Sequence, residues 1–304
     1  MNQVTKYKGC LIGLGVITKR YFTGLSETDF LELSAVADTN ERALTRELYS
    51  NRRFYRDYKE MVENEKPDYV IISTPPASHF DIARWCLEKN VNVIIEKPVV
   101  LSLEEFDALR DLAKDKALVF RTLFHWQGGI ETLAFGKKYD VSQITEIKIS
   151  VSDPYSNDGV TVNQDRRPLC GAWIDSGVNA LSMVRMWLPF EKVEILDVES
   201  QKCIETGLPI YVRARLIIDG VKTEIDVDWR HGLDCKKSII ILDDRCVHID
   251  HSKQSITDED TVEYGRMQRL DEHYKTLMSN LDKGSNADIS RSVHKILYEV
   301  NKLL

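Results

Sequence analysis

No apolar run in this sequence approaches the roughly 18 residues that a membrane-crossing helix needs. The longest, Tyr69–Thr74 and Val91–Ile95, are strand-sized, which excludes a helical membrane span. Cysteine is sparse: the six residues (Cys10, Cys86, Cys170, Cys203, Cys235, Cys246) lie far apart with no Cys-x-x-Cys pair. That pattern argues against a zinc knuckle and against a disulfide framework, so the six are expected to be reduced core thiols. No Asn-x-Ser/Thr sequon occurs, and the polar start Met1–Lys8 leads straight into a strand with no room for a signal peptide; the expected location is the cytoplasm. Positive charge is in deficit, with 41 Lys and Arg against 48 Asp and Glu, which disfavours nucleic acid and anionic membrane as partners. Histidine is scarce too. His248 and His251 are three apart with only Asp243 and Asp250 nearby, and they read as solvated surface, so no metal is expected.

What is present is enough apolar material for two cores, 43 % of 304 residues. Short β-like runs at Gly9–Ile12, Leu31–Ala37, Asp68–Ser73, Asn92–Ile95 and Ala117–Thr122 alternate with helix-like stretches, the rhythm of parallel βαβ units. Ser102 and Glu105 form a capping box ahead of Phe106, Leu109 and Leu112. The aromatics Tyr49, Phe54, Tyr55 and Tyr58 read as packing residues of a helix. Beyond Leu123 the pattern becomes strands without intervening helices: Ile144–Val151, Val193–Ser200, Ile210–Ile218, Thr223–Trp229, Ser238–Leu242 and Arg245–Ile249. One helix, Ala172–Leu188, interrupts them, and two more, Tyr264–Leu281 and Ile289–Leu303, close the chain. The expected organisation is a parallel α/β domain over 1–122 and, over 123–304, an α+β domain with a large, mainly antiparallel sheet.

The first strand runs into Gly13-Leu14-Gly15-Val16-Ile17-Thr18 at the start of a helix. Backbone must approach a pyrophosphate closely there, and the helix N-terminus favours the anion. The third small residue of that fingerprint is replaced by Thr18. Asp38, 23 residues after Gly15 at the end of the second strand, can accept from both ribose hydroxyls and repels a 2′-phosphate, which selects NAD over NADP. Its neighbour Thr39 brings no positive charge, although Arg42 follows within a turn. A plain capping box, Asp38 to Glu41, is the other reading of the same residues.

Two further strings, Ser73-Thr74-Pro75-Pro76-Ala77-Ser78-His79 and Glu96-Lys97-Pro98, together with Gly171-Ala172-Trp173-Ile174-Asp175-Ser176-Gly177-Val178-Asn179, resemble the glucose-fructose oxidoreductase, inositol dehydrogenase and MocA (Gfo/Idh/MocA) family over essentially the whole length. The resemblance implies that Ser73, Thr74, Pro75 and His79 border the cofactor. It also implies that Glu96 and Lys97 stand at the nicotinamide ribose, with Lys97 reaching the substrate as well. From residue types alone, His79 could equally begin a helix, and Glu96 and Lys97 could be an exposed pair.

Asp175 and Asn179, four apart on the expected helix, share its polar face. In the family this face carries an Asp and a His around the carbon that exchanges hydride; here Asn179 stands where the His is expected. An amide cannot accept a proton at neutral pH, so the expected catalytic set is Lys97, Asp175 and Asn179, with Lys97 leading and Asn179 binding a hydroxyl. Asp153, His125, Gln127 and Trp173 are candidates for the substrate. Asn179-Ala180-Leu181-Ser182 and Asp228-Trp229-Arg230-His231-Gly232 are similar to the galactose and arabinose 1-dehydrogenases, but the Trp-His-Pro-Gly stretch of that subgroup is replaced by Asp153-Pro154-Tyr155-Ser156. The resemblance therefore implies an NAD-dependent oxidoreductase of a sugar or polyol hydroxyl, with a Rossmann domain over 1–122 and, over 123–304, an open-faced sheet for substrate and for self-association, expected as a homodimer or homotetramer. A cofactor-binding regulator of the same fold and a redox-neutral NAD-dependent lyase or hydrolase stay open.

Overall fold

The computed structural model describes residues 6–26, 28–40, 43, 51–243, 245–265 and 267–304; Glu41, Arg42 and Tyr49, invoked above, lie outside the described residues. The chain divides into two compact units, Met1–Leu123 with Tyr274–Asp288, and Phe124–His273 with Ile289–Leu304. Sequence draws one boundary at 122/123; in the structure the segment 274–288 returns to the first unit.

The first unit alternates β1 (Tyr7–Ile12), α1 (Thr18–Leu25), β2 (Leu31–Ala37), β3 (Arg53–Tyr55), α2 (Tyr58–Glu65), β4 (Tyr69–Ile72), α3 (His79–Glu88), β5 (Asn92–Glu96), α4 (Leu103–Asp115) and β6 (Phe120–Leu123). The six strands are all parallel in the order β3-β2-β1-β4-β5-β6, the doubly wound order of a Rossmann sheet. Sheet residues Val70, Ile72, Val93 and Ile95 and helix residues Cys86, Leu87, Phe106 and Leu109 share one core, as strands covered on both faces require. The Ser102 hydroxyl accepts from the Glu105 N–H at 3.2 Å, closing the cap that starts α4. The stretch around Phe54 and Tyr55, read above as helical, is instead the short edge strand β3 paired with β2; its aromatics and flanking arginines suit a pleated edge as well as a helix. The opposite edge, β6, is covered by the returning segment. Ser285 Oγ donates to the Phe120 carbonyl at 2.7 Å, and the Asn286 amide meets Thr122 N–H at 2.8 Å and its carbonyl at 2.9 Å, satisfying backbone groups that an open edge would leave bare.

The second unit holds α5 (Ile130–Lys138), β7 (Ile144–Ser152), a π-helical turn (Trp173–Gly177) leading into α6 (Val178–Val184), then β8 (Val193–Lys202), β9 (Pro209–Ile218), β10 (Val221–Asp228), β11 (Cys235–Leu242), β12 (Cys246–Asp250), β13 (Ser255–Thr257) and β14 (Thr261–Glu263). Two helices, α7 (Arg269–Met278) and α8 (Ala287–Asn301), carry the chain across the unit boundaries. The eight strands run in the order β14-β13-β12-β11-β7-β10-β9-β8, antiparallel except for the β7–β10 pair. Strict alternation puts Val212, Ala214 and Leu216 of β9 on the buried face. On the other face cross-strand ion pairs, Arg213–Asp226 and Arg215–Glu224, each close at 2.8 Å.

Three expectations are corrected here. The helix expected over 172–188 is a π-helical turn followed by seven α-helical residues. Gly177 permits it, since a Cβ there would lie 2.7 Å from the Trp173 ring. The cysteines are not all core residues: Cys246 is exposed and Cys170 and Cys235 are half-buried, though all six are free thiols. His251, read as solvated, is buried between Glu131 Oε1 and Ser238 Oγ, each at 2.8 Å, because the alternation of β12 turns odd-numbered residues inward. Among the described residues, no helix is long and apolar enough to cross a membrane.

Candidate active site

In the first unit the candidate residues sit at the carboxyl ends of β1, β2, β4 and β5, where open α/β sheets bind ligands. Gly13 leaves β1 at φ +91°, and a Cβ there would lie 2.8 Å from the Ser73 and Thr74 backbone; only glycine fits. Gly15 meets nothing within 4 Å, Val16 beside it is 78 % exposed, and Ile17 is half-buried. The turn therefore offers open space directly before the N-terminus of α1, which has no side-chain cap. Thr18, which breaks the small-residue fingerprint, folds its hydroxyl onto the Gly15 carbonyl at 2.8 Å and is itself buried. Asp38 is half-buried and draws the turn together: its Oδ2 accepts from Leu14 N–H at 2.7 Å and its Oδ1 from Asn40 N–H at 2.8 Å. The capping and ribose readings are thus compatible, since each oxygen keeps a second lone pair. Thr39 is exposed beside it.

Ser73 Oγ donates to the Gly13 carbonyl at 2.9 Å, and Thr74 Oγ1 accepts from Ser78 at 2.8 Å, so the loop after β4 is fastened to the glycine turn; Pro75 is exposed. His79 is fully buried, with Nε2 2.8 Å from the Thr74 carbonyl and Nδ1 2.9 Å from that of Pro98. Burial pushes its imidazole below the usual range, against the pull of those carbonyls. Its ring staples the loop after β4 to the turn after β5. Glu96, the last residue of β5, is buried beneath Lys97; burial pushes its carboxyl above the usual range, although Tyr274, Tyr21 and the Lys97 N–H all donate to it. Lys97 is half-buried and precedes a cis proline.

In the second unit Asp175 is half-buried in the π-helical turn. Asn179 Nδ2 donates to the Asp175 carbonyl at 3.1 Å, while Asn179 Oδ1 is buried with no hydrogen-bond partner among the described residues. That orphan acceptor fits a ligand hydroxyl. Asp153, just past β7, receives the Ser176 hydroxyl on Oδ2 at 2.7 Å and the Lys236 ammonium on Oδ1 at 2.8 Å. Tyr155 stacks edge-on against Trp229; burial first, then the carboxylates of Asp175 and Asp153, push its phenol above the usual range. One tyrosine thus feels both acids, which gathers Asp153 and Asp175 into one locale. Trp173, a substrate candidate in the sequence, is instead fully buried and donates its N–H to the Leu297 carbonyl at 2.9 Å, so its ring belongs to the interior. His125, mostly buried, lies 3.3 Å from His273 Nδ1, and Gln127 donates to the Ser182 carbonyl at 2.9 Å; neither is joined by a hydrogen bond to Asp153. Sequence reasoning missed Ser176, Tyr155, Trp229 and Lys236. A signal existed for the last: Lys236 falls in phase with the inward residues Ser238, Ile240 and Leu242 of β11.

A doubly wound parallel sheet with a glycine turn facing open space, followed by an α+β unit carrying clustered carboxylates, defines a two-unit chain with a Rossmann-type first half. Residues 8–124 match the GFO_IDH_MocA family, described as an oxidoreductase family with an NAD-binding Rossmann fold. It is 27 % identical to D-apiose dehydrogenase of Paraburkholderia graminis over 134 residues, 43 % of this chain and 36 % of that protein. It is 24 % identical to D-glucoside 3-dehydrogenase of Escherichia coli over 64 % of this chain and 58 % of that one. The matches therefore span only about a third to three-fifths of these curated relatives. In fold the likeness is nearly complete: an inositol dehydrogenase homologue of Azotobacter vinelandii, solved with NADH and myo-inositol, superposes with a TM-score of 0.80 at 14 % identity, covering 98 % of this chain and 96 % of that one.

Proposed function

We propose that this protein oxidises a hydroxyl of a small sugar or polyol with NAD, or reduces the corresponding carbonyl with NADH. The observation that carries the reading is the glycine turn. Gly13 cannot bear a side chain without striking backbone, whereas Gly15 faces open space, the arrangement a backbone needs to approach a pyrophosphate. Gly13, Gly15, Val16 and Ile17 would hold the pyrophosphate, Asp38 and Thr39 the adenosine ribose, and Ser73, Thr74, Pro75, Glu96 and Lys97 the nicotinamide side, with His79 fastening the loops. NAD, when bound, supplies the hydride acceptor.

The chain's own residues do the rest. Lys97 takes the leading role in removing or relaying the hydroxyl proton, from its place at the carboxyl end of β5, where a parallel sheet receives its ligand. Asp175 orients the reacting hydroxyl or relays its proton. Asn179 Oδ1, left without a partner among the described residues, accepts from a hydroxyl of the substrate, and Asp153 grips another. The reading includes self-association through the sheet face lined by Arg213, Arg215, Glu224 and Asp226, and a reducing cytoplasmic setting suited to six free thiols.

The test is to incubate the purified protein with NAD and a panel of aldoses, inositols and deoxysugars and to follow the appearance of NADH. Reduction with one of them, lost in Lys97→Ala, supports the dehydrogenase. NAD bound without any chemistry, and indifferent to Lys97→Ala, would sink it.

A further inference from the structure

Lys236 is the least expected charge in the second unit. Its side chain is 6 % exposed, yet it carries an ammonium between two carboxylates, Asp153 Oδ1 at 2.8 Å and Asp234 Oδ1, and also reaches the Ser152 carbonyl at 3.3 Å. Burying such a pair is a poor way to gain stability, because desolvating the ions costs about as much as their attraction returns, and an apolar replacement of similar volume is often no worse. What the arrangement does achieve is orientation. Both oxygens of Asp153 are fixed, one by Lys236 and the other by the Ser176 hydroxyl at 2.7 Å. The Ser176 oxygen in turn accepts from Trp229 Nε1 at 3.2 Å, so its only proton is committed to Asp153. Ser176 adjoins Asp175 in the π-helical turn, the Asp153 side chain keeps 12 % of its surface accessible, and each of its oxygens keeps further acceptor capacity.

We propose that Lys236 is a positioning residue for substrate recognition: clamped between Asp153 and Asp234, it holds Asp153 as a fixed carboxylate that accepts hydrogen bonds from a sugar or polyol hydroxyl. This rests on the reading above that the second unit receives a polyhydroxy substrate. The rigid carboxylate selects neighbouring hydroxyls over a carboxylate or phosphate ligand, which it would repel. The charged and titratable groups acting on this cluster are Lys236 and Asp234 on the β11 side, Asp175 in the π-helical turn, Tyr155, Arg166, and Arg269 near the start of α7.

Two measurements test it, and the first needs no substrate. In protein carrying carbon-13 in its aspartate carboxyls, the Asp153 resonance is compared at one fixed neutral pH in the unaltered chain, Lys236→Met and Lys236→Arg. The resonance is expected to move and broaden in Lys236→Met, as the carboxylate loses its fixed orientation, and to stay near its original place in Lys236→Arg; an unchanged resonance in Lys236→Met overturns the proposal whatever the protein's activity. The second measures calorimetric binding, to NADH-loaded protein, of myo-inositol and of the panel sugar that yields most NADH. Affinity is expected to fall ten- to a hundredfold in Lys236→Met, with KM rising more than kcat falls, with NADH affinity unchanged, and with Lys236→Arg restoring most of the loss. Ser176→Ala, which removes the second restraint, is expected to weaken binding several-fold. Equal sugar affinity in all variants overturns the proposal, as does an equal loss in Lys236→Met and Lys236→Arg that merely tracks lost folding. Failure of the unaltered protein to oxidise any sugar is a different result, which counts against the functional reading.

Discussion

The Tyr274 hydroxyl donates to Glu96 Oε1 over 2.6 Å, although the two residues are 178 apart in sequence. Tyr21 donates to the same oxygen at 2.8 Å, and the two phenol rings meet edge to face. The segment that returns to the first unit thereby secures the strand end from which Lys97 projects. Tyr274→Phe is expected to cost about 1–2 kcal/mol, the loss of one buried hydrogen bond. Glu96→Ala, which strands both phenols, should cost about 2–4 kcal/mol. Urea unfolding measures both; a Tyr274→Phe protein as stable as the parent would show that the contact does not hold this segment.

The two glycines of the turn are expected to fail in different ways. Gly13→Ala must push against the Ser73 and Thr74 backbone at a positive φ, so it should lower the thermal midpoint and, through the distorted turn, NAD affinity as well. Gly15→Ala has nothing within 4 Å to strike. It should leave the midpoint within a degree or two while weakening NAD binding at least tenfold, by calorimetry. Unchanged NAD affinity in Gly15→Ala would contradict the placement of the pyrophosphate.

Acid should loosen the second unit through two buried imidazoles. Burial pushes His294 down to about 4 and His273 down to about 3, from an ordinary value near 6.5. The unfolded chain takes up protons there first, so the stability these groups support is complete above pH 6.5. It falls as pH drops through the interval down to about 4 for His294 and about 3 for His273, then levels off. The spans correspond to about 3 and about 5 kcal/mol respectively. Unfolding free energies measured between pH 7.5 and pH 4 should trace this slope, and His294→Leu should flatten part of it.

Asn179 offers a sharper contrast. Its Oδ1 is buried without a partner among the described residues, so Asn179→Ala removes an unsatisfied acceptor and should cost under about 1 kcal/mol of stability, while raising the KM of the oxidised sugar about tenfold. A large stability loss with unaltered KM would assign the amide to the fold instead of the substrate.

How much of this was legible in the sequence depended on range. The parallel sheet, the glycine turn and Asp38 were readable because each is announced by neighbours: apolar strands, a turn that only glycine allows, an acid at a strand end. Strand β3 escaped because three residues set no period, and the π-helical turn because one extra residue per turn leaves the apolar spacing almost unchanged over so short a stretch. The return of 274–288 to the first unit was invisible, since a single tyrosine reaching Glu96 leaves no local pattern. Lys236 lay in plain phase with inward residues of β11, but a lysine beside another lysine reads as surface until the strand's register is known.

The returning segment also determines how this architecture can be recombined. Because the polypeptide passes from one unit to the other at 123/124, 273/274 and 288/289, no single splice point exchanges the second unit for that of a relative. A chimaera joined only after Leu123 would inherit a foreign lid over β6 and a foreign partner for Glu96. Exchanging the second unit therefore calls for grafting 124–273 and 289–304 while keeping the native fifteen-residue insert between them.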